Sequence, residues 1–407
     1  MLTDRISSIV SALEASRDER VALYKKFHQI PELSLVEYQT AGLIEESVRK
    51  LGLEPVRVGE TGIVATIDNG EGSTVAMRAD IDALPVTEQS GKDYASTATG
   101  VSEVGDEVGV MHACGHDVHI VSLLGALEAL AAKREEWSGT FVGVFQPGEE
   151  TREGARTMVA AGLVDAMPKP DVFLGQHVMS VIPLGQVATW PGVMMSSAAS
   201  IKITIYGEGG HGSQPEYCID PVVLAASIVL RLQTIVSREV APSESAVVTV
   251  GSIRAGAKSN IIPDTATLLV NTRAFDSNVE KMLHAAIERI VRAECMASGA
   301  SKEPEFEYYD RFPLTVNDEE VTGTVAESFA NYFGGNAVER GPTMGSEDFS
   351  VLPDAFGVPY CYWNLGGFPE GGPAPSNHSP FFAPDISSIH LGAEAIIAAS
   401  APWLLRE

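Results

Sequence analysis

The sequence predicts an α/β protein: a mostly parallel sheet with flanking helices, interrupted by an inserted ferredoxin-like α+β module. Apolar, β-rich runs alternate with helical patterns through the first half of the chain, the rhythm that parallel strands and their helical crossovers impose. Near residue 189 that rhythm changes, and strands and helices follow in the order βαββαβ.

The elements are read in order. A helical pattern covers about 3–29, followed by the strands GIVATID and STVAMRA, a helix over about 116–133, and the strands TFVGVFQ and DVFLGQHV. The inserted module runs through the strand ASIKITIYG, the helix DPVVLAASIVLRLQTIVSRE, the strands AVVTVGSI and TATLLVNTRAF, the helix NVEKMLHAAIERIVRAECMA and the strand EFEYYDRF. A helix (EEVTGTVAESFANYFGG), a strand (VPYCYWNLG) and a closing helix (SSIHLGAEAIIAASAPWLL) then resume the first pattern. The expected organisation is one domain over 1–188 and 315–407, split by a second over 189–314.

Composition narrows the function. The 407 residues are 45% hydrophobic and 20% charged, enough apolar material for a sizeable core. With 28 basic against 54 acidic residues the net charge is −26, which argues against nucleic acid or an anionic membrane as partner and leaves cation binding open. The first twenty residues carry charge from Asp4 onward and lack the apolar run of a secretion signal. VSLLGALEALAA is short and broken by Glu128, well under the roughly 20 apolar residues of a membrane span. Cys114, Cys218, Cys295 and Cys361 form no CxxC pair, so reduced thiols and a cytoplasmic location are expected.

Chemistry-bearing residues concentrate in four places. MHACGHDVHI holds His112, Cys114, His116, Asp117 and His119, the densest cluster of ligand types. TFVGVFQPGEET runs an apolar strand through Pro147 and Gly148 into Glu149 and Glu150, at the strand edge where α/β sheets place their sites. DVFLGQHV ends on His177 and its neighbour, and NHSP places His378 in a Gly- and Pro-rich loop. Each alone has an ordinary structural explanation, but all four fall outside the insertion, which favours a metal centre. Thiolate, imidazole and carboxylate together suit zinc, nickel or cobalt and weigh against magnesium or calcium. Five candidate ligands exceed one tetrahedral site, so two ions are expected. One of the paired glutamates then binds metal while its neighbour acts as general base.

MRADIDALPV, MHACGHD, FQPGEE, GQHV, GGHGSQP, NIIPD, MGSEDFS and NHSP, in this order from about His28 to His378, resemble the signature of the dinuclear metal aminoacylases, a zinc-peptidase-like family that includes hippurate and auxin-conjugate hydrolases. QTIVSREV and WSGTF are similar to its actinobacterial N-acyl-glutamine branch. The resemblance implies metal ligation by Cys114, His116, Glu150, His177 and His378, with Glu149 as general base and Asp80 and Asp82 behind the ligands. The wider superfamily has His-x-Asp where this chain has Arg78-Ala79-Asp80. It further implies that His211 stabilises the oxyanion, often across a dimer interface, and that Asn260 and Arg273 contact the substrate carboxylate. The cofactor implied is two divalent ions per chain, zinc first, with manganese, nickel or cobalt as alternatives. The reaction implied is hydrolysis of the amide bond of N-acyl amino acids, by a homodimer joined through the inserted lid and dimerisation domain. A dipeptidase or carboxypeptidase of the same superfamily is the alternative. Val193, Met194 and Met195 are candidates for an acyl pocket, or simply core filler.

GEGGHG after the strand IKITIY also fits G-x-G-x-x-G, the mark of a dinucleotide-dependent oxidoreductase. Gln214 and Pro215 separate these glycines from the next helix, near Asp220, and AVVTV ends in Gly251-Ser252 without an acid for a ribose. The expectation is therefore a hydrolase.

Overall fold

In the computed structural model, which describes residues 2–102 and 105–405, the chain divides into two compact units. The first comprises Met1–Met194, Val316–Gly341 and Asp348–Glu407, and the second Met195–Thr315 and Pro342–Glu347.

The first unit is built on an eight-stranded mixed sheet whose middle four strands, Gly139–Gln146, Thr74–Asp80, Val172–Pro183 and Tyr360–Phe368, run parallel in that spatial order. Gly62–Asn69 and Pro55–Val58 extend one edge antiparallel, and the short strands Val187–Thr189 and Ala337–Glu339 extend the other. The parallel strands are buried along nearly their whole length, which is why they read as continuous apolar runs rather than alternating ones. The helices His116–Ala132 and Ser388–Leu404 are apolar almost all round and pack on each other in the interior. The N-terminal pattern forms two α-helices, Leu2–Val10 and Arg17–Gln29, rather than one, with a 3₁₀ turn between them. The helix Tyr38–Lys50 and the strand Pro55–Val58 are additional elements that the sequence reading did not separate.

The second unit has a four-stranded antiparallel sheet in the order Ala246–Ala255, Thr265–Ala274, Ser197–Tyr206, Glu305–Phe312. With the helices Pro221–Arg238 and Ser277–Ala297 this is the ferredoxin-like arrangement, held by its own core of Ile201, Ile203, Ile228, Leu268 and Ile287. Asp220 and Asp276 cap the two helices, each accepting from two backbone N–H groups. Pro221–Arg238 is the one helix among the described residues apolar and long enough to be weighed as a membrane span, yet Leu224, Ile228, Leu232 and Ile235 are buried in this core.

Candidate metal centre

Register across the parallel strands places Asp80 level with Gln146 and, two residues beyond the Arg78–Gly175 pair, with His177. This is the carboxyl end of the sheet. The chain leaves Gln146 directly into Pro147, Gly148, Glu149 and Glu150, so three neighbouring strands deliver polar groups to one buried edge.

The CGHD segment enters this edge from a helix start. Gly115 caps the helix His116–Ala132 at φ 83°, and a Cβ there would lie 2.5 Å from Val178 Cγ1, so both the backbone conformation and the close approach require glycine. His116 points inward from the first turn. Its Nδ1 donates to the Asp82 carbonyl at 3.0 Å and lies 3.1 Å from Asp82 Oδ1, which leaves Nε2 as the free acceptor. His177 is oriented the same way, with Nδ1 donating to the Val178 carbonyl at 2.8 Å and Nε2 lying 3.4 Å from Cys114 Sγ. His378 Nε2 lies 3.3 Å from both Cys114 Sγ and Glu150 Oε1. Its backbone sits at φ 69°, and its N–H donates to the Ala113 carbonyl at 2.7 Å, pinning the NHSP loop to CGHD.

The donor set fits a metal. His116 Nε2 and Glu150 Oε1 are buried without a hydrogen-bond partner, 3.9 Å apart, which is costly unless a cation receives both lone pairs. The groups Cys114, His116, Glu150 and Asp80, His116, His119, His177 each bring their donor atoms within 4.8 Å of one another. Electrostatics agree. Burial pushes the His116 imidazole down, but Asp80 and Asp82 outweigh it and raise its pKa well above the usual range. The Cys114 sulfur and the Glu150 carboxylate beside its Nε2 raise His378 to about 10 against its burial. Negative charge is thus concentrated where a divalent ion would satisfy it.

The three histidines of MHACGHDVHI separate in the fold. His119 is occupied at both nitrogens: Nδ1 donates to Asp80 Oδ1, and Nε2 accepts the Val178 N–H at 2.8 Å. His112 is buried, with burial pushing it down to about 4, and neither ring nitrogen has a hydrogen-bond partner. Asp80 also accepts from Arg78 Nη1 at 2.7 Å, and Asp82 accepts from Ser34 Oγ at 2.6 Å and from the Glu150 N–H at 3.0 Å. Asp82 thus lies behind His116 and Glu150, whereas Asp80 Oδ2 lies 3.5 Å from His116 Nε2, among the donor atoms themselves. Glu149 is buried beside Glu150 on the turn that follows Gln146.

Two supporting residues escape a sequence reading. Glu37 is fully buried and accepts the Gly148 N–H, and Arg78, also fully buried, donates to Gln146 and Asp80 and lies 3.4 Å from Asp348. An acid at 0% exposure among backbone donors has no one-dimensional signature.

The second unit carries the remaining candidates. His211 is exposed on the strand Gly210–His211, paired with Ile261–Ile262, and its Nδ1 lies 2.7 Å from Ser213 Oγ. Asn260 is its neighbour, its carbonyl accepting the Gly212 N–H at 2.9 Å. Arg273 is elsewhere. It lies eight residues beyond Thr265 on the strand Thr265–Ala274, about 26 Å along it, at the end where the chain passes between the units. Its guanidinium reaches Ser346 Oγ at 3.3 Å and the Met344 carbonyl. One copy of this unit therefore does not gather His211, Asn260 and Arg273 at one place.

The glycines of GEGGHG have a structural reason instead of a dinucleotide. A Cβ on Gly207 would lie 2.2 Å from the Ile219 carbonyl oxygen, and the next α-helix begins only at Pro221.

A buried thiol, imidazoles and carboxylates converging at the carboxyl ends of a parallel sheet define a metal-dependent hydrolase. The chain belongs to Peptidase family M20/M25/M40, whose model matches residues 76–400. It is 36% identical over 398 residues to Thermostable carboxypeptidase 2 of Saccharolobus solfataricus, covering 96% of this chain and 97% of that protein. It is 34% identical over 398 residues to IAA-amino acid hydrolase ILR1-like 4 of Arabidopsis thaliana, covering 95% and 86%. The crystal structure of the Bacillus subtilis YXEP protein, a dinuclear metal binding peptidase from the M20 family, aligns with a TM-score of 0.79 at 27% identity over 96% of this chain and 98% of that one. The expectation of a dinuclear-metal amidohydrolase family is met, and the oxidoreductase alternative is set aside.

Proposed function

We propose that the protein hydrolyses the amide bond of N-acyl amino acids, releasing a carboxylate and a free amino acid. The observation that carries this reading is the pair Glu149–Glu150: Glu150 offers an unpartnered oxygen to the donor cluster, while buried Glu149 stands beside it. Cys114, His116, Glu150, His177 and His378 would hold two divalent ions, with zinc favoured by the thiol and imidazole donors, and manganese, nickel or cobalt as alternatives. When bound, such ions polarise the amide carbonyl and make water acidic enough to deprotonate near neutral pH. Glu149 takes the proton from the attacking water at its carboxylate and returns it to the departing amine nitrogen, one group serving as base and then acid. His211 donates to the developing oxyanion, and Asn260 and Arg273 bind the substrate carboxylate.

The separation of His211 and Asn260 from Arg273 within one copy supports a homodimer in which the partner's His211 serves the site. The outer face of the helix Pro221–Arg238 supports the same assembly, since Val223 and Leu230 are 63% and 74% exposed there. All four cysteines are free thiols, in keeping with a cytoplasmic location. The carboxypeptidase among the relatives favours a second reading, cleavage of a C-terminal residue from a peptide by the same attack.

The test is Glu149→Gln. It is expected to retain both ions by elemental analysis while turnover of N-acyl amino acids falls at least about a hundredfold. Activity near that of the unmodified enzyme removes Glu149 from the chemistry.

A further inference from the structure

His28, on the last turn of the helix Arg17–Gln29, lies outside the donor cluster and is buried. Its Nδ1 is 2.6 Å from Asp117 Oδ2, and its Nε2 is 3.1 and 3.2 Å from the two carboxylate oxygens of Glu88, whose side chain is wholly buried. Both neighbours are acceptors, so both ring nitrogens donate and the ring is an imidazolium held between two carboxylates. Burial pushes this imidazole down, but Asp117 and Glu88 outweigh it and raise it to about 10. Tyr24 and Tyr94 pack against the ring, with centroids 5.8 and 5.2 Å from its own.

The two carboxylates lead to the two segments that carry candidate ligands. Asp117 follows His116 directly, and its other oxygen accepts the Val118 N–H at 3.0 Å. Glu88 is fixed by the Ser96 N–H at 2.6 Å and by the Ser90 hydroxyl, and its neighbour Gln89 donates its N–H to the Pro380 carbonyl at 2.7 Å, just beyond His378. His28 thereby closes a loop of contacts from CGHD to NHSP, which the His378 N–H completes on the Ala113 carbonyl. The 3.3 Å approach of Cys114 Sγ to His378 Nε2 is bracketed by these two links. Anchoring the helix does not require the charge, because Tyr24 and Phe27 already bury it in the core.

Resting on the assignment of Cys114, His116 and His378 as ligands, we propose that His28 is a positioning residue: a buried cationic link between Asp117 and Glu88 that sets the separation of the CGHD and NHSP segments, and with it the affinity of the metal centre. Removing the cation alone leaves two buried carboxylates facing each other, and their repulsion moves segments on which ligands sit.

The test uses the full chain titrated with cobalt, whose thiolate absorption and visible bands report sulfur ligation and coordination geometry. Glu88→Gln keeps an oxygen for the Ser96 N–H and for His28 while removing one charge, and is expected to weaken cobalt binding about tenfold. His28→Gln, which leaves both acids without a cation, is expected to weaken it about a hundredfold, with the cobalt spectrum shifted in both variants. Combining the two substitutions restores the net charge of the group, and the double variant should bind cobalt more tightly than His28→Gln alone. Unchanged affinity and spectrum in both single variants, at temperatures where circular dichroism shows them folded, overturns the proposal and leaves His28 as a residue of the core. A double variant that binds no better than His28→Gln overturns the cationic link. If His28→Gln does not fold, the affinity and spectrum of Glu88→Gln decide the matter, and wild-type values there overturn the proposal. Absence of thiolate absorption in the unmodified cobalt-loaded protein overturns the ligand assignment, and this proposal with it.

Discussion

Oε1 of Glu37 accepts the backbone N–H of Gly148 at 2.9 Å and that of Leu35 at 2.7 Å, while Oε2 accepts the Thr61 hydroxyl at 2.7 Å. A fully buried side chain on one helix edge thereby anchors the turn that presents Glu149 and Glu150. The geometry suits a neutral as well as an ionised acid, because a proton on Oε2 can be donated back to the Thr61 oxygen.

Burial, reinforced by the nearby charge of Asp82, raises Glu37 to about 7 from an ordinary value of 4.5. Between those pH values the folded, metal-free protein holds a proton that the unfolded chain has released, so its stability falls as pH rises through the window. The full effect is about 3 kcal/mol. Glu37→Gln keeps the same hydrogen bonds, its amide oxygen accepting both N–H groups and its NH₂ donating to Thr61, and has nothing to titrate. Denaturant midpoints of the metal-stripped proteins should diverge between pH 5 and 7.5, with the variant gaining on the unmodified chain as pH rises. Parallel curves would show that Glu37 stays ionised throughout.

Asp82 holds two of the proposed donors at once, His116 through Nδ1 and Glu150 through its backbone N–H. Asp82→Asn replaces one carboxylate oxygen with a donor, which cannot accept from its partner, and removes charge from behind the imidazole. Metal affinity should fall about 10- to 100-fold with the stoichiometry at saturation unchanged. Cys114→Ala, in contrast, removes an atom lying 3.4 Å from His177 Nε2 and 3.3 Å from His378 Nε2, and should lower the stoichiometry itself. Titration followed by elemental analysis separates the two outcomes, and full metal content in Cys114→Ala would exclude its thiol from the centre.

The contrast between what was and was not legible in the sequence follows from chain separation. The strands STVAMRA and TFVGVFQ, buried on both faces, announce themselves as apolar runs, and CGHD, GEE and the histidines of GQHV and NHSP stand out because thiol, imidazole and carboxylate side chains cluster there. The sorting of those histidines was not legible. His116 and His119 differ by one helical turn, yet Asp80 and the Val178 N–H occupy both nitrogens of His119, partners 39 and 59 residues away. In sequence Arg78 stands out only as a missing histidine; in the fold it lies between the buried Asp80 and Asp348 carboxylates, a compensation spanning 270 residues. The placement of Arg273 at the opposite end of its sheet from His211 required the register of the inserted strands.

That last separation leads to a test of the assembly. If the partner's His211 completes each site, a dimer joining a Glu149→Gln chain to a His211→Ala chain has one dead site lacking both groups and one intact site with both. Random mixing makes half the dimers mixed, each with one working site of two, so about a quarter of the normal activity should appear from two nearly inactive preparations. Leu230→Arg, at a side chain 74% exposed on the outer helix face, should abolish this recovery by placing a charge in the apolar contact, with a monomer seen by light scattering. Secondary structure by circular dichroism should be unchanged, because Leu230 lies outside the buried core of its unit. Recovery of activity by neither mixture, with both variants dimeric and the single His211→Ala chain inactive, would mean that each His211 works in its own subunit.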